Sequence, residues 1–220
     1  NAKEMKFNSL KMREHTAPDE FKMKVMLELQ KALGMKDLPR HIECFDNSNI
    51  QGTNPVASCV CFRDAVPSKK DYRHFNIKTV VGANDYASMK EVVNRRYSRM
   101  LVENSDDLPQ LIVIDGGKGQ LAFAYEALFE LGLTDKLTVV GLAKRLEEVI
   151  RVGDPYPLFI DRNSQALKVL QRIRDEAHRF GITHHRKRRS KAQVSSALSG
   201  IKGVGEKTEQ RLILSFGSVA

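Results

Sequence analysis

Three short strand-like runs, at residues 40–46, 56–63 and 71–79, follow one another with only turn-rich connections between them, Asn47-Ser-Asn-Ile-Gln-Gly52 and Asp64-Ala-Val-Pro-Ser68. Connections this short bar the crossover that parallel neighbours need, so the three runs pair as an antiparallel meander. Beyond them the periodicity alternates. A helical pattern covers residues 85–102, a continuous apolar run 111–114, a second helix 120–131 and a second apolar run 137–142. Continuous Val/Ile/Leu runs of this length mark strands covered on both faces. A small hairpin at 149–160 around Gly153-Asp154-Pro155 and a helix at 164–180 with Ser164 as N-cap complete the order βββαβαβ, hairpin, helix.

That order predicts an α/β fold of RNase H-like type, a mixed five-stranded sheet flanked by helices. In such a sheet the first and fourth strands are neighbours. Asp46 closes the first and Asp115 closes the fourth, so the two carboxylates project side by side from one sheet edge, close enough to share a cation. Each aspartate taken alone has an ordinary reading as a turn former or helix cap, and Asp85, at the start of the 85–102 helix, reads equally well as a first-turn acid.

Charge gives the paired acids their meaning. The 220 residues carry 36 Lys+Arg against 27 Asp+Glu, a net charge of +9, which points to a polyanionic partner. Carboxylates facing phosphates repel them unless a divalent cation lies between, and oxygen-rich ligation suits Mg²⁺ or Mn²⁺. No apolar stretch reaches the roughly 20 residues that span a bilayer, and the first residues read as an internal cut and not as a signal peptide. The expectation is a soluble, cytoplasmic chain with no membrane partner. Cys44, Cys59 and Cys61 sit in apolar runs without zinc-site spacing and read as reduced core residues.

Three regions are expected: a helical arm or connector over residues 1–38, with Phe21, Val25, Met26, Leu29 and Leu33 on one face and Gly34 as its stop; a main domain over 39–187; and a small unit over 195–220. The composition shift that separates the last two falls at 187–198. Asp115-Gly-Gly-Lys-Gly-Gln120 lacks Walker A spacing, which disfavours nucleotide hydrolysis, yet its glycine turn before a helix lets Lys118 and backbone N–H groups approach a phosphate. Arg95, Arg96 and Arg99 crowd the second half of the 85–102 helix. The densest basic cluster, His184 to Lys191, contains Arg186, Lys187, Arg188 and Arg189. All of these are candidate phosphate contacts that give salt-dependent, sequence-indifferent binding. Ile201-Lys-Gly-Val-Gly-Glu-Lys-Thr matches the turn of a helix-hairpin-helix element, with Gly203 and Gly205 allowing close backbone approach and Lys202 and Lys207 adding charge; a plain αα-turn is the alternative. On the 164–180 helix, His178 is a candidate ligand or proton carrier, with Asp175 on its face to orient the ring and Asp175 or Glu176 as further acids.

Glu43-Cys-Phe-Asp46, Val56-Ala-Ser-Cys-Val-Cys-Phe62, Asp85-Tyr-Ala-Ser-Met89, Arg95-Arg-Tyr97, Ile114-Asp-Gly-Gly-Lys-Gly-Gln-Leu121 and Ile173-Arg-Asp-Glu-Ala-His178-Arg-Phe, taken in order, resemble the C-terminal half of the UvrC family over about residues 20–216. The resemblance implies an RNase H-like endonuclease domain followed by the start of a helix-hairpin-helix domain, acting in bacterial nucleotide excision repair to make the 5′ incision beside a lesion. It places the family's catalytic acids on Asp46, Asp85 and Asp115 and its histidine on His178. It also implies damaged double-stranded DNA and UvrB as partners, with UvrA upstream. Two local departures stand out: Asn47-Ser48-Asn49 where the family often has Ile-Ser-His, and Asn84-Asp85-Tyr86 where it often has Asp-Asp-Tyr.

The expected chemistry is metal-dependent attack of water on a phosphodiester, with Asp46 and Asp115 around the ion, Asp85 as an outer or second-site ligand, and His178 completing the shell or moving the proton. The competing reading is a non-catalytic DNA-binding scaffold in which the acids only cap helices.

Overall fold

The computed structural model describes residues 18–48, 56–80, 84–103, 106–143 and 148–199, with single positions at 205, 208, 211 and 215. Its elements are α1 (Pro18–Leu33), β1 (His41–Ser48), β2 (Val56–Arg63), β3 (Val66–Pro67), β4 (Arg73–Asn76), α2 (Asp85–Val102), β5 (Leu111–Asp115), α3 (Lys118–Glu130), β6 (Thr138–Ala143), β7 (Glu148–Arg151) and α4 (Gln165–Ser199). They build one mixed sheet in the order β3-β2-β1-β5-β6-β7, with β4 also paired to β2. The antiparallel meander and the adjacency of β1 and β5 are as expected from the sequence, and both β1–β5 and β5–β6 pair in parallel.

The sheet has seven strands where five were expected. One addition, β3, arises because Asp64 and Ala65 take φ of 48° and 62°, folding the chain back so that Arg63 faces Val66 across a two-residue turn. Primed hairpin turns need two left-handed residues, and their usual Asn-Gly signature is missing from Asp-Ala. The other addition, β7, is the first arm of the expected 149–160 hairpin, which joins the main sheet antiparallel to β6 while its second arm touches only through Val149 and Leu158.

Both faces of the sheet are covered, which explains the uninterrupted apolar run of β5. Leu111 and Val113 point into a core shared with α1 and α4, including Met26, Leu29 and Leu170. Ile112 and Ile114 point to the opposite face, where Val92 and Tyr97 of α2 and Leu121 and Leu128 of α3 pack. The described part of the N-terminal helical segment is thus a packed element, and Gly34, with φ of 58°, ends it as the sequence suggests. Alternation then carries Asp46 to the same face as Cys44, and Asp115 to the same face as Val113. Both acids are directed toward α4.

At the start of α4 the Ser164 hydroxyl accepts the N–H of Leu167 at 3.1 Å, the expected cap. The helix does not stop at residue 180 as expected but continues to Ser199. Gly181 is tolerated within it, and the Arg, Lys, Gln and Ala that follow are good helix formers. The basic cluster at 184–191 therefore lies along a helix, and the 187–198 composition shift falls inside that helix. Among the described residues no helix is long and apolar enough to cross a membrane.

Candidate active site

Parallel pairing of β1 with β5 sets Phe45 beside Ile114, so the next residues, Asp46 and Asp115, emerge together at the carboxyl ends of adjacent strands. Asp46 is buried, Asp115 half-buried. From across the interface α4 brings His178, whose Nδ1 lies 3.3 Å from Asp46 Oδ2. One ligand atom from each of Asp46, Asp115 and His178 falls within 4.8 Å of the others. Two carboxylates and an imidazole within that span form a donor set for a divalent cation, and charge concentrated on a buried strand end favours binding one.

Several contacts hold this geometry. Ser58, facing Asp46 on β2, donates its hydroxyl to the carbonyl of Ala177, the residue before His178, at 3.0 Å. Tyr72 donates its hydroxyl to Glu176 Oε1 at 3.0 Å, and Arg179 pairs with the same carboxylate. That arginine, aided by the tyrosine and against the effect of burial, lowers the Glu176 pKa. Glu176 thus serves as a clamp between α4 and the segment before β4. Asp175 does not orient the histidine ring as the helical spacing suggested. Its carboxylate takes Arg174 at 2.9 Å, and the ring's partner is Asp46, 132 positions away.

Asp85 is the first residue of α2 and lies outside the three-residue cluster. Its backbone carbonyl accepts the Asn47 amide at 2.8 Å, which ties the start of α2 to the residue after Asp46. Asn84 caps the helix by accepting the N–H of Ala87 at 3.1 Å. Both departures from the family pattern therefore have structural duties. The next residue, Tyr86, stacks on Phe123 of α3 with ring centroids 5.7 Å apart. A side chain at Gly119 would collide with the Tyr86 ring, so this glycine permits the approach of α3 to α2 beside the site.

The candidate DNA contacts separate into different environments. Lys118 is exposed at the start of α3 and donates to the carbonyl of Pro155 at 3.0 Å. Arg95 bonds Glu91 and the carbonyl of Asn76, and Arg99 bonds Glu103 at the surface. Arg96, expected as a phosphate contact, is turned inward. Its guanidinium is paired with the fully buried Glu43, which also accepts the Tyr97 hydroxyl at 2.8 Å. Burial raises the Glu43 pKa, but hydrogen bonds from His41 and Arg96 outweigh it and bring the value down to about 2. Arg186, Lys187, Arg188 and Arg189 lie on α4 by their backbone, but their side chains are outside the described structure, as are Lys202, Gly203 and Lys207. Gly205 is exposed, and its carbonyl accepts the N–H of Thr208 at 2.9 Å.

Among the described residues a second group, His41, Glu43 and Cys61, also brings three possible ligands together. Arg96 and Tyr97 already occupy the Glu43 carboxylate, and burial pushes the Cys61 thiol up to about 12, so this group reads as a structural polar core. All three cysteines are free, as expected, and Cys44 and Cys61 lie in the α4-side core. Burial, reinforced by the charges of Asp115 and Asp46, pushes the Cys44 thiol up.

Sequence reasoning missed Ser58, Asn47 and the Tyr72–Glu176 clamp as supports of the site. The signal for Ser58 was available: it is the one hydroxyl in the apolar run Val56-Ala-Ser-Cys-Val-Cys-Phe62.

Comparison with known proteins agrees with this architecture. Residues 30–182 match the family described as the UvrC RNAse H endonuclease domain. UvrABC system protein C of Flavobacterium johnsoniae is 57% identical over 219 residues, covering 100% of this chain and 36% of that protein. The protein of the same name from Porphyromonas gingivalis is 53% identical over 219 residues, again covering 100% of this chain and 36% of its own length. The chain thus spans about a third of these relatives. Among solved structures, Ciona intestinalis endonuclease V in complex with an inosine-containing DNA has a TM-score of 0.36 at 16% identity, covering 59% of this chain and 58% of that one, a likeness too low to add to the evidence of the sheet itself.

Proposed function

Because the chain belongs to the UvrC RNAse H endonuclease domain family, we propose that it hydrolyses a DNA phosphodiester with the help of Mg²⁺ or Mn²⁺, making the 5′ incision beside a lesion in nucleotide excision repair. The observation that carries this reading is the convergence of Asp46, Asp115 and His178 at one sheet edge. UvrB on damaged double-stranded DNA, loaded with UvrA, is the working context, in the cytoplasm.

Asp46, Asp115 and His178 are the residues that would hold the divalent ion, which when bound supplies Lewis-acid polarisation of the phosphoryl oxygen and acidifies a water. The two carboxylates offset the positive charge of the surrounding protein so that a cation is favoured exactly where a phosphate must come close to acids. With its proton on Nε2, His178 would turn the Nδ1 lone pair, 3.3 Å from Asp46 Oδ2, toward an ion shared with that carboxylate; with the proton on Nδ1 the ring would instead donate to Asp46 and leave Nε2 to accept a proton from water. Ser58 and the Tyr72–Glu176 bond fix α4, and hence that ring, against β2. Asp85, tied to the residue after Asp46 through Asn47, would serve as an outer or second-site ligand. Lys118, Arg95 and Arg99 supply phosphate contacts, extended by Arg186, Lys187, Arg188 and Arg189 on α4. Beyond α4 a helix-hairpin-helix element with Lys202, Gly203, Gly205 and Lys207 holds the duplex without reading its sequence. In this reading residues 39–187 carry the chemistry and 195–220 grip the duplex, while helix α1, the described part of 1–38, packs on the nuclease core.

A scaffold without catalysis has no use for two carboxylates at adjacent strand ends facing an imidazole. The test is incision of UvrB-loaded damaged duplex by the full-length protein with Mn²⁺ or Mg²⁺. Cutting at the 5′ side that depends on metal and disappears in Asp115→Ala supports the reading; cutting that survives the substitution refutes it.

A further inference from the structure

We propose that the hairpin after β7, with Tyr156 in its loop and Phe159 just past the Val149–Leu158 bridge on its second arm, offers exposed aromatic faces on which an unpaired base of the DNA strand engaged by the acid cluster stacks. This rests on the nuclease reading above for the identity of the strand. Tyr156 is 80% exposed and Phe159 91% exposed, the latter the most exposed large apolar side chain among the described residues. Single exposed apolar side chains are ordinary, but two aromatic rings left this open on one short hairpin are faces on which a base can stack.

The platform is held, not loose. The N–H of Leu158 donates to the carbonyl of Val149 at 2.7 Å, and Leu158 and Ile160 both pack on the core, so alternation turns Phe159 outward between two anchored neighbours. Pro155 and Pro157 restrict the backbone on either side of Tyr156. Little conformational entropy is left to lose on binding.

Its position names the partner. Lys118 Nζ donates to the carbonyl of Pro155 at 3.0 Å, joining the hairpin to the glycine turn that follows Asp115. Lys118 is three residues beyond Asp115, so their Cα atoms are at most about 11 Å apart. An ammonium has three donors, and the one spent on Pro155 leaves capacity for a phosphate oxygen beside the aromatics. Cation, aromatic faces and acid cluster in sequence suit a strand whose phosphate is at Asp115 and whose neighbouring base has left the stack. A fully paired duplex hides its base faces and offers the platform nothing. A distorted strand does.

The test compares binding of this chain to a duplex with a short mismatched bubble and to the same duplex fully paired, by fluorescence anisotropy, for wild type and for the double variant Tyr156→Ala, Phe159→Ala. The variant is expected to bind the bubble about 10-fold more weakly and the paired duplex almost unchanged. Because the chain has no tryptophan, Tyr156→Trp adds a direct reporter whose emission is quenched by bubble DNA and not by paired DNA. Equal loss on both DNAs, no loss on either, or an unquenched reporter overturns the proposal. So does loss of UvrB binding with bubble binding intact, which would make the hairpin a protein-docking surface. Asp115→Asn separates the two readings: it removes cutting while keeping the bubble preference if both hold. A full-length protein that prefers bubbles through these aromatics but never cuts UvrB-loaded damaged duplex refutes the nuclease reading alone.

Discussion

The hydroxyl of Ser58 on β2 donates to the carbonyl oxygen of Ala177 on α4 at 3.0 Å, one residue before His178 and opposite Asp46 in the strand ladder. This buried bond joins the sheet that carries both acids to the helix that carries the imidazole. Its removal in Ser58→Ala should lower stability by about 1 kcal/mol, since the helix carbonyl loses a neutral hydrogen bond. Metal-dependent cutting should fall by more than the fraction unfolded explains. Thermal melts and single-turnover cleavage at saturating metal check both; cutting that tracks the folded fraction alone would leave Ser58 a structural residue.

Arg96 and Arg99 lie one turn apart on α2 and should behave in opposite ways. Arg96→Ala leaves the Glu43 charge buried without its partner, a loss of about 3–5 kcal/mol, because the Glu43 side chain is 0% exposed and that of Arg96 only 16%. Arg99→Ala, at a side chain 79% exposed, should leave stability unchanged and reduce the salt slope of DNA binding by about one phosphate contact. Denaturant unfolding and salt titrations of affinity separate the two.

Glu43 also sets a pH dependence. Its carboxyl titrates at about 2 in the folded chain against an ordinary value of 4.5. The folded state therefore binds fewer protons than the unfolded state between those values, so this carboxylate's contribution is complete above 4.5 and is lost as the pH falls toward 2. Acid unfolding of wild type should be steep across that window. Glu43→Gln should start less stable and show a shallower acid slope; an unchanged slope would remove Glu43 from the acid transition.

Gly119→Ala should displace the Tyr86 ring from Phe123, because the added methyl occupies the ring's position. The lost aromatic pair costs about 1 kcal/mol, and the start of α2 next to Asp85 should loosen with it. Hydrogen exchange at residues 85–88 is the readout.

Much of this arrangement was legible in the chain. Strand order made β1 and β5 neighbours and so paired Asp46 with Asp115 at one sheet edge; the face they take was not legible, because residues 111–114 are apolar on both faces and carry no parity. Ser164 and Gly34 marked helix ends through local chemistry that any sequence window contains. What escaped were features set by distant partners. Arg96 looks like its neighbours Arg95 and Arg99 until Glu43, 53 positions earlier, claims it. Strand β3 depends on two left-handed residues that are not glycine or asparagine, and the length of α4 on Gly181 being carried through a helix that the local signal would end. Asp85 is the residue on which family resemblance and geometry differ most, since the structure ties its backbone, by way of Asn47, to the strand that carries Asp46.

The most direct measurement is anomalous diffraction from a crystal of this chain soaked in Mn²⁺. A peak bonded at about 2 Å to carboxylate oxygens of Asp46 and Asp115 and to a ring nitrogen of His178 is the predicted result. A fully soaked crystal with no peak there, or with manganese bound only elsewhere, would contradict the assignment of this cluster as the metal centre.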